Sequence, residues 1–131
     1  VTVLGVTDIA TVKQCVRAAD DFGKKVVVDM ICVDNIPAKV TQMEELGAHI
    51  LAVHTGADQQ AEGRTPLDDL KVMTDCAKKA KIAVAGGISS KTIDKYVALK
   101  PDIIIVGSAI TRAADPVEEA RLIKEAIKKS Q

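Results

Sequence analysis

Two short glycine-containing segments hold the residues best suited to bind an anion. The first is Gly86-Gly87-Ile88-Ser89 and the second is Gly107-Ser108-Ala109-Ile110, each between an apolar run and a helical stretch. Glycine lets backbone N–H groups approach a ligand, and the start of a helix favours negative charge. One such turn would indicate only a tight turn, but two on successive strands predict a phosphate site. The candidate phosphate-binding residues are Gly86, Gly87, Gly107 and Ser108.

Two side chains capable of acid–base chemistry end other apolar runs. Asp29 follows Val26-Val27-Val28, and His54 ends a run that leads into Thr55-Gly56. A carboxylate at the end of a buried strand is costly without a partner, so it faces the mouth of the sheet or caps a turn. An imidazole at the same end could transfer protons near neutral pH. Asp29 and His54 are therefore the candidate catalytic residues.

Three further polar residues are weaker candidates. His49 lies five positions before His54, and this odd offset places the two rings on opposite faces of a strand. His49 is therefore expected near the other end of the strand. Arg64, in a polar loop, is expected on the surface, whereas Arg112, after the second glycine turn, could equally bind phosphate or be solvated.

The composition excludes several classes of function. Lys+Arg and Asp+Glu number 18 each, so no net charge attracts nucleic acid or an anionic membrane. The apolar runs are shorter than the roughly 20 residues of a membrane helix. The three cysteines form no CxxC pair, which predicts reduced thiols of a cytoplasmic protein and neither a zinc site nor a disulfide framework.

Five apolar, β-branched runs alternate with amphipathic stretches, which predicts the order βαβαβαβαβα. The strands are expected to end at Gly5, Asp29, His54, Gly86 and Gly107, at spacings of 24, 25, 32 and 21 residues. These are the lengths of βα units, so the strands should be parallel and joined by right-handed crossovers. The pattern fits both a complete doubly wound, flavodoxin-like sheet and five units of an eight-stranded barrel, which needs roughly 200–250 residues.

The intervening helices carry start and stop signals. We expect Ser90 to cap a short helix that carries Leu99, and Val117 to lie on the buried side of the last helix. We expect a third helix to end in Lys78, Lys79 and Lys81. The expected starts are at Asp8, Asn35, Thr65 and Asp115, and the first two helices should stop at Gly23 and Gly47.

Four segments resemble the 3-hexulose-6-phosphate synthases of the orotidine 5'-monophosphate decarboxylase suprafamily. The resemblance covers essentially all 131 residues, and its His-Thr-Gly-x-Asp-Gln-Gln motif is the most specific part. It implies a partial TIM (β/α)8 barrel whose five βα units match strands 4 to 8, with residues 1–131 as a single domain. The segments are Val27–Ile31, Leu51–Gln60, Val84–Ile88 and Ile105–Ile110.

The resemblance implies a reversible aldol condensation of formaldehyde with D-ribulose 5-phosphate through a Mg2+-stabilised enediolate. His54 would move protons, Asp29 would hold substrate hydroxyls, and Gly87, Gly107 and Ser108 would bind the phosphate. The magnesium ligands of the family belong to the first three βα units, so we expect no metal ligand in this sequence. The complete enzyme is expected to be a homodimer.

Two alternatives remain: a decarboxylase reaction in place of the aldol condensation, and a fragment without catalytic activity in place of an enzyme. The related 3-keto-L-gulonate-6-phosphate decarboxylases carry an arginine three positions after the histidine and a threonine before the paired glycines. Here these positions are Ala57 and Ala85, which favours the synthase. The 131-residue chain alone is expected to be inactive, and it could be a non-catalytic fragment that self-associates through open sheet edges.

Overall fold

The computed structural model describes residues 1–63 and 65–130. Arg64 lies outside the described residues. The strands are β1 (Thr2–Leu4), β2 (Val27–Asp29), β3 (Ile50–His54), β4 (Lys81–Ala85) and β5 (Ile103–Ile105). The helices are α1 (Ile9–Asp21), α2 (Ile36–Glu45), α3 (Ala57–Ala61), α4 (Pro66–Cys76), α5 (Ile93–Val97), α6 (Ser108–Thr111) and α7 (Pro116–Lys129).

The strands form one parallel sheet in the order β1-β2-β3-β4-β5. Right-handed crossovers between successive neighbours put all the connecting helices on the same face of the sheet. A doubly wound sheet instead reverses its strand order at a switch point, which places helices on both faces. The sequential order is therefore that of a barrel segment, and the flavodoxin-like alternative is wrong.

Alternation along the strands sends successive side chains to opposite faces of the sheet. The helix-facing side chains are almost fully buried and form the core. On the other face, Leu4 and Ile105 remain 48% and 47% exposed. Asp29 and His54 lie on this second face, because Val28 and Val53 beside them are buried against the helices.

The predicted helix starts are confirmed by capping hydrogen bonds. Each capping side chain accepts a backbone N–H from the first turn, which satisfies one of the donors left free at a helix start. Three of the helices also have proline in the first turn, where its missing N–H costs nothing. The caps are Asp8, Asn35, Thr65 and Asp115.

The end predicted for the third helix is wrong. That helix, α4, stops at Cys76, and Ala77 is already extended. The cause is Glu44 on α2, whose Oε1 accepts the backbone N–H groups of Lys78, Lys79 and Ala80 at 2.8, 2.7 and 2.9 Å. These bonds hold the backbone in a turn before Lys81 begins β4, so the lysines lie beyond the helix.

Two other expectations need correction. Ser90 does not cap α5, because Thr92 precedes that helix and Ser90 binds Glu119 instead. Leu99 lies past the end of α5. Val117, expected on the buried side of the last helix, is 78% exposed. The buried residue of α7 is Ile123, nearly two turns further on.

The three hydrogen bonds to Glu44 predict how the stability of the protein depends on pH. Partial burial acts to raise the pKa of this carboxyl, but the bonds from Ala80, Lys79 and Lys78 outweigh it and hold the pKa below its usual value. Glu44 is thus more acidic in the folded protein than in the unfolded one. Its stabilisation is complete above the unfolded pKa and is lost as pH falls through the folded pKa.

We expect Glu44→Gln to lower the free energy of unfolding at pH 7 by about 1 kcal/mol, the usual contribution of such a hydrogen bond. The variant should also lose less stability than the unsubstituted protein between pH 6 and pH 3, roughly the range of glutamate titration. Urea unfolding followed by circular dichroism measures both. Glu45→Gln, on the exposed neighbour, is the control, and an unchanged pH dependence for Glu44→Gln would contradict this role.

Candidate active site

Asp29 and His54 meet across neighbouring strands at the carboxyl end of the sheet. Asp29 is in register with Ala52 on β3, two residues before His54. The His54 Nδ1 atom lies 3.0 Å from Asp29 Oδ2, and the two side chains are 40% and 19% exposed. The two catalytic candidates therefore form a hydrogen-bonded pair that solvent can reach.

The Asp29 carboxylate is held at both oxygens. Its Oδ1 accepts the N–H of Ile31 at 2.9 Å, while Oδ2 faces the His54 ring. A carboxylate only accepts hydrogen bonds, so in the neutral imidazole the proton lies on Nδ1 and the Nε2 lone pair is free. This arrangement orients His54 to accept or donate a proton at Nε2.

The first glycine turn follows β4 directly. Gly86 and Gly87 have φ angles of +107° and +66°, a backbone region that side chains with a Cβ rarely adopt. The nearest atoms to a Cβ built at either position are 3.5 Å away, an ordinary contact. Backbone conformation, rather than crowding, therefore requires glycine at both positions.

Two hydroxyl groups fix the direction of this turn. The Tyr96 hydroxyl donates to Gly86 O at 3.3 Å, and Thr92 Oγ1 donates to Gly87 O at 3.2 Å. In a trans peptide the C=O and the following N–H point in opposite directions. The N–H groups of Gly87 and Ile88 therefore point away from these hydroxyls, and within the described chain neither one donates to a protein acceptor.

The second glycine turn connects β5 to the four-residue helix α6. Gly107 precedes this helix without a side-chain cap, and both Gly107 and Ser108 are exposed. A Cβ built on Gly107 would meet no atom within 4 Å in the described chain. Crowding therefore does not require glycine here, and the exposed backbone leaves room for a ligand.

The motif after β3 shapes the rim of the site. Gln59 Oε1 accepts the N–H of Gly56 at 3.2 Å, and Gln60 Nε2 donates to Thr55 O at 2.8 Å. Gln60 also lies against the first glycine turn, 3.5 Å from a Cβ built on Gly87. The two glutamines thus connect the loop that follows His54 to the predicted phosphate turn.

His49 lies apart from the Asp29–His54 pair. His49 Nδ1 accepts the N–H of Val26 at 3.1 Å, and Nε2 lies 3.0 Å from Asp20 Oδ1 at the amino end of the sheet. This confirms that His49 does not join His54. Arg112 ends α6 and is exposed.

Sequence reasoning missed Thr92 and Tyr96 as residues that shape the site. Tyr96 is the only tyrosine and is buried, and burial raises its pKa. Its hydroxyl must therefore find a partner as a neutral donor. No spacing pattern indicates that the partner is a carbonyl ten residues earlier.

The described residues do not by themselves make a magnesium site. Among them, no three His, Cys, Asp or Glu side chains converge as a metal-ligand set. Both Asp29 oxygens already accept or face hydrogen-bond partners.

In the described part of the chain, no helix has the length and hydrophobicity needed to cross a membrane.

The sequence also matches a known protein family. Residues 1–123 match the orotidine 5'-phosphate decarboxylase / HUMPS family. The chain belongs to this family. Membership over almost the whole sequence confirms the resemblance read from the strand-end motifs.

Individual family members agree with this assignment. The chain is 47% identical over 127 residues to 3-hexulose-6-phosphate synthase of Staphylococcus epidermidis, covering 97% of this chain and 60% of that protein. The crystal structure of 3-hexulose-6-phosphate synthase from Salmonella typhimurium superposes with a TM-score of 0.94 at 60% identity, over 99% of this chain and 62% of that one. The chain thus spans about 60% of the curated relatives it matches, and the partial-barrel fold is confirmed.

A more distant solved structure shares the fold. The structure of 3-keto-L-gulonate-6-phosphate decarboxylase from Vibrio cholerae has a TM-score of 0.79 at 21% identity, over 99% of this chain and 61% of that one. At that identity only the common (β/α) framework is established.

The open space at Gly107 allows a test of the phosphate turns. If the two turns bind phosphate, we expect Gly107→Val to weaken the binding of inorganic phosphate by about tenfold or more, since the side chain would cover amides worth about 1.5–3 kcal/mol to a charged ligand. Gly107→Ala should weaken it less. Calorimetric titration of the full-length protein measures the affinity, and thermal unfolding checks the fold. Unchanged affinity in Gly107→Val would remove this turn from the site.

Proposed function

We propose that the complete protein is an aldehyde-lyase that reversibly condenses formaldehyde with D-ribulose 5-phosphate to give D-arabino-hex-3-ulose 6-phosphate. One observation carries the proposal: a hydrogen-bonded Asp29–His54 pair lies at the carboxyl edge of the same sheet whose β4 and β5 lead into the two glycine turns. The 60% identity to the Salmonella typhimurium synthase supports the same reaction.

The glycine turns would hold the phosphate and so position the sugar. The free amides of Gly87 and Ile88, together with those at Gly107 and Ser108, supply donors that require no cationic side chain. Binding at the phosphate end, away from the reacting carbons, can be used to orient the substrate at C1 and C2. The phosphate site would thus set the position of the substrate relative to His54.

His54 would transfer protons at the reacting carbons. Removal of a proton from C1 of ribulose 5-phosphate gives an enediolate across C1 and C2. C1 then attacks the carbon of formaldehyde, a new carbon–carbon bond forms, and the aldehyde oxygen takes a proton to become a hydroxyl group. His54 Nε2 is the group in this chain able to exchange such a proton, and Asp29 keeps Nε2 correctly placed and stabilises the imidazolium.

We propose that the complete enzyme uses magnesium, whose ligands we do not assign to residues of this chain. Bound in the complete enzyme, the ion would neutralise charge that develops on the enediolate oxygens. The family resemblance assigns its ligands to βα units outside this sequence. We also propose that the complete enzyme is a homodimer located in the cytoplasm.

The decarboxylase remains the second candidate because it shares the enediolate chemistry. Two positions favour the synthase: Ala57 and Ala85 stand where the decarboxylases carry arginine and threonine. The identities point the same way, with 47% to a synthase and 21% to a decarboxylase. Assay with 3-keto-L-gulonate 6-phosphate distinguishes the two.

The roles of the pair can be separated kinetically. In the full-length enzyme, His54→Ala should lower kcat by about 10²–10⁴-fold, the usual contribution of a general acid–base group. The KM for ribulose 5-phosphate should change little, because the phosphate turns are intact. Asp29→Asn should lower kcat less, since it alters the tautomer and placement of a ring that is still present.

Hexulose phosphate formation from formaldehyde and ribulose 5-phosphate, measured with Mg2+, gives both constants. His49→Gln is the matched control: it changes the histidine that immediately precedes the same strand, at the opposite end of the sheet, and glutamine offers an acceptor oxygen for the Val26 N–H. Equal losses of kcat and affinity in His54→Ala would mean that His54 is a packing residue.

The chain by itself gives a simpler test. We expect the 131-residue chain to form little or no hexulose phosphate under the same conditions, because it spans about 60% of its relatives and its described residues hold no metal-ligand set. Turnover close to that of the full-length enzyme would show that the residues named above suffice for the reaction.

A further inference from the structure

One carboxylate ties the first glycine turn to the last helix. Glu119 Oε1 accepts the backbone N–H of Ser90 at 2.7 Å, and Glu119 Oε2 accepts the Ser90 hydroxyl at 2.8 Å. Both residues are partly buried. A two-point contact of this kind fixes direction as well as distance, because both oxygens are engaged by one residue.

The two ends of this contact lie next to the two predicted phosphate turns. Ser90 comes three residues after Gly87. Glu119 lies in the first turn of α7, which packs against α6, the helix that begins at the second glycine turn. Ser90 and Glu119 are 29 positions apart in the sequence. The Ser90–Glu119 contact therefore connects the segment after the first turn to α7 and, through the packing of α7 on α6, to the second turn.

We propose that Glu119 is a positioning residue for phosphate binding, which acts through Ser90 to hold the first glycine turn in place against the second. The inference rests on the proposed function, since it concerns the same phosphate site. A phosphate that contacts two turns binds tightly only when the distance between the turns matches the ligand. Turns that are already held at that distance reduce the free-energy cost of ordering them on binding.

The simplest competing explanation is that Glu119 is an ordinary acidic residue at a helix start. Such residues interact favourably with the helix dipole wherever their side chains point. Glu118 stands next to Glu119 in the same turn of α7, but it pairs with Arg121. The hydrogen bonds from Ser90 lower the pKa of Glu119, and the bond from Arg121 lowers that of Glu118. The two carboxylates thus match in charge and helix position and differ in partner.

The test compares Glu119→Ala with Glu118→Ala in the full-length enzyme. We expect Glu119→Ala to raise the KM for ribulose 5-phosphate about five- to tenfold, consistent with losing charge-assisted hydrogen bonds at a partly exposed site. The inhibition constant of inorganic phosphate, measured as a competitor, should rise in parallel. The kcat and the KM for formaldehyde should stay within about twofold, and Glu118→Ala should behave as the unsubstituted enzyme.

Two further variants keep the test sharp if Glu119→Ala does not fold. Glu119→Gln retains an oxygen for the Ser90 N–H and should fall between the unsubstituted enzyme and Glu119→Ala. Ser90→Ala removes only the hydroxyl contact and should also raise the phosphate inhibition constant. The double variant Ser90→Ala/Glu119→Ala should be no worse than Glu119→Ala alone, because the two residues act as one contact.

Three results would overturn the proposal. They are unchanged phosphate affinity across the Glu119 and Ser90 variants, an equal effect from Glu118→Ala, and a loss of kcat with phosphate affinity retained. If the unsubstituted enzyme forms no hexulose phosphate, the proposed function fails. Direct titration with inorganic phosphate then still decides the role of Glu119, with weaker binding in Glu119→Ala supporting it.

Discussion

Parallel pairing of neighbouring strands in chain order determines where every candidate functional group lies. Because all five strands are parallel, their carboxyl ends fall on one rim, and each βα turn adds its residues to that rim. Asp29 and His54 meet only because β2 pairs with β3 in the observed register. A slip of one residue would turn one of them toward the helices.

The fold was largely predictable from local chemistry, because strand runs, caps and βα spacing are encoded within short segments. Asp8, Asn35, Thr65 and Asp115 all cap helices as expected. The choice between barrel and doubly wound sheet was not predictable from pattern alone, because both use the same units and differ only in which strands pair. The family resemblance, and then the strand order, resolved it.

The wrong expectations for Ser90 and for the lysines after Cys76 share one physical cause, which is competition from a partner distant in sequence. Ser90 has the right type and position for a cap, but Glu119 offers it a charged acceptor from 29 residues away. The lysines after Cys76 resemble the end of a helix, but the Glu44 carboxylate accepts the backbone N–H groups that follow and holds them in a turn. Each residue of the Asp29–His54 pair was identified separately. Their contact was not predicted, because it depends on the register of β2 on β3.

The capture of three amides by Glu44 also restricts how this part of the chain can vary. An extra residue between α4 and β4 would carry at least one amide away from the shared oxygen. The contact at the amino end of the sheet thus favours a fixed length for the connection into β4, the strand that leads to the Gly86–Gly87 turn.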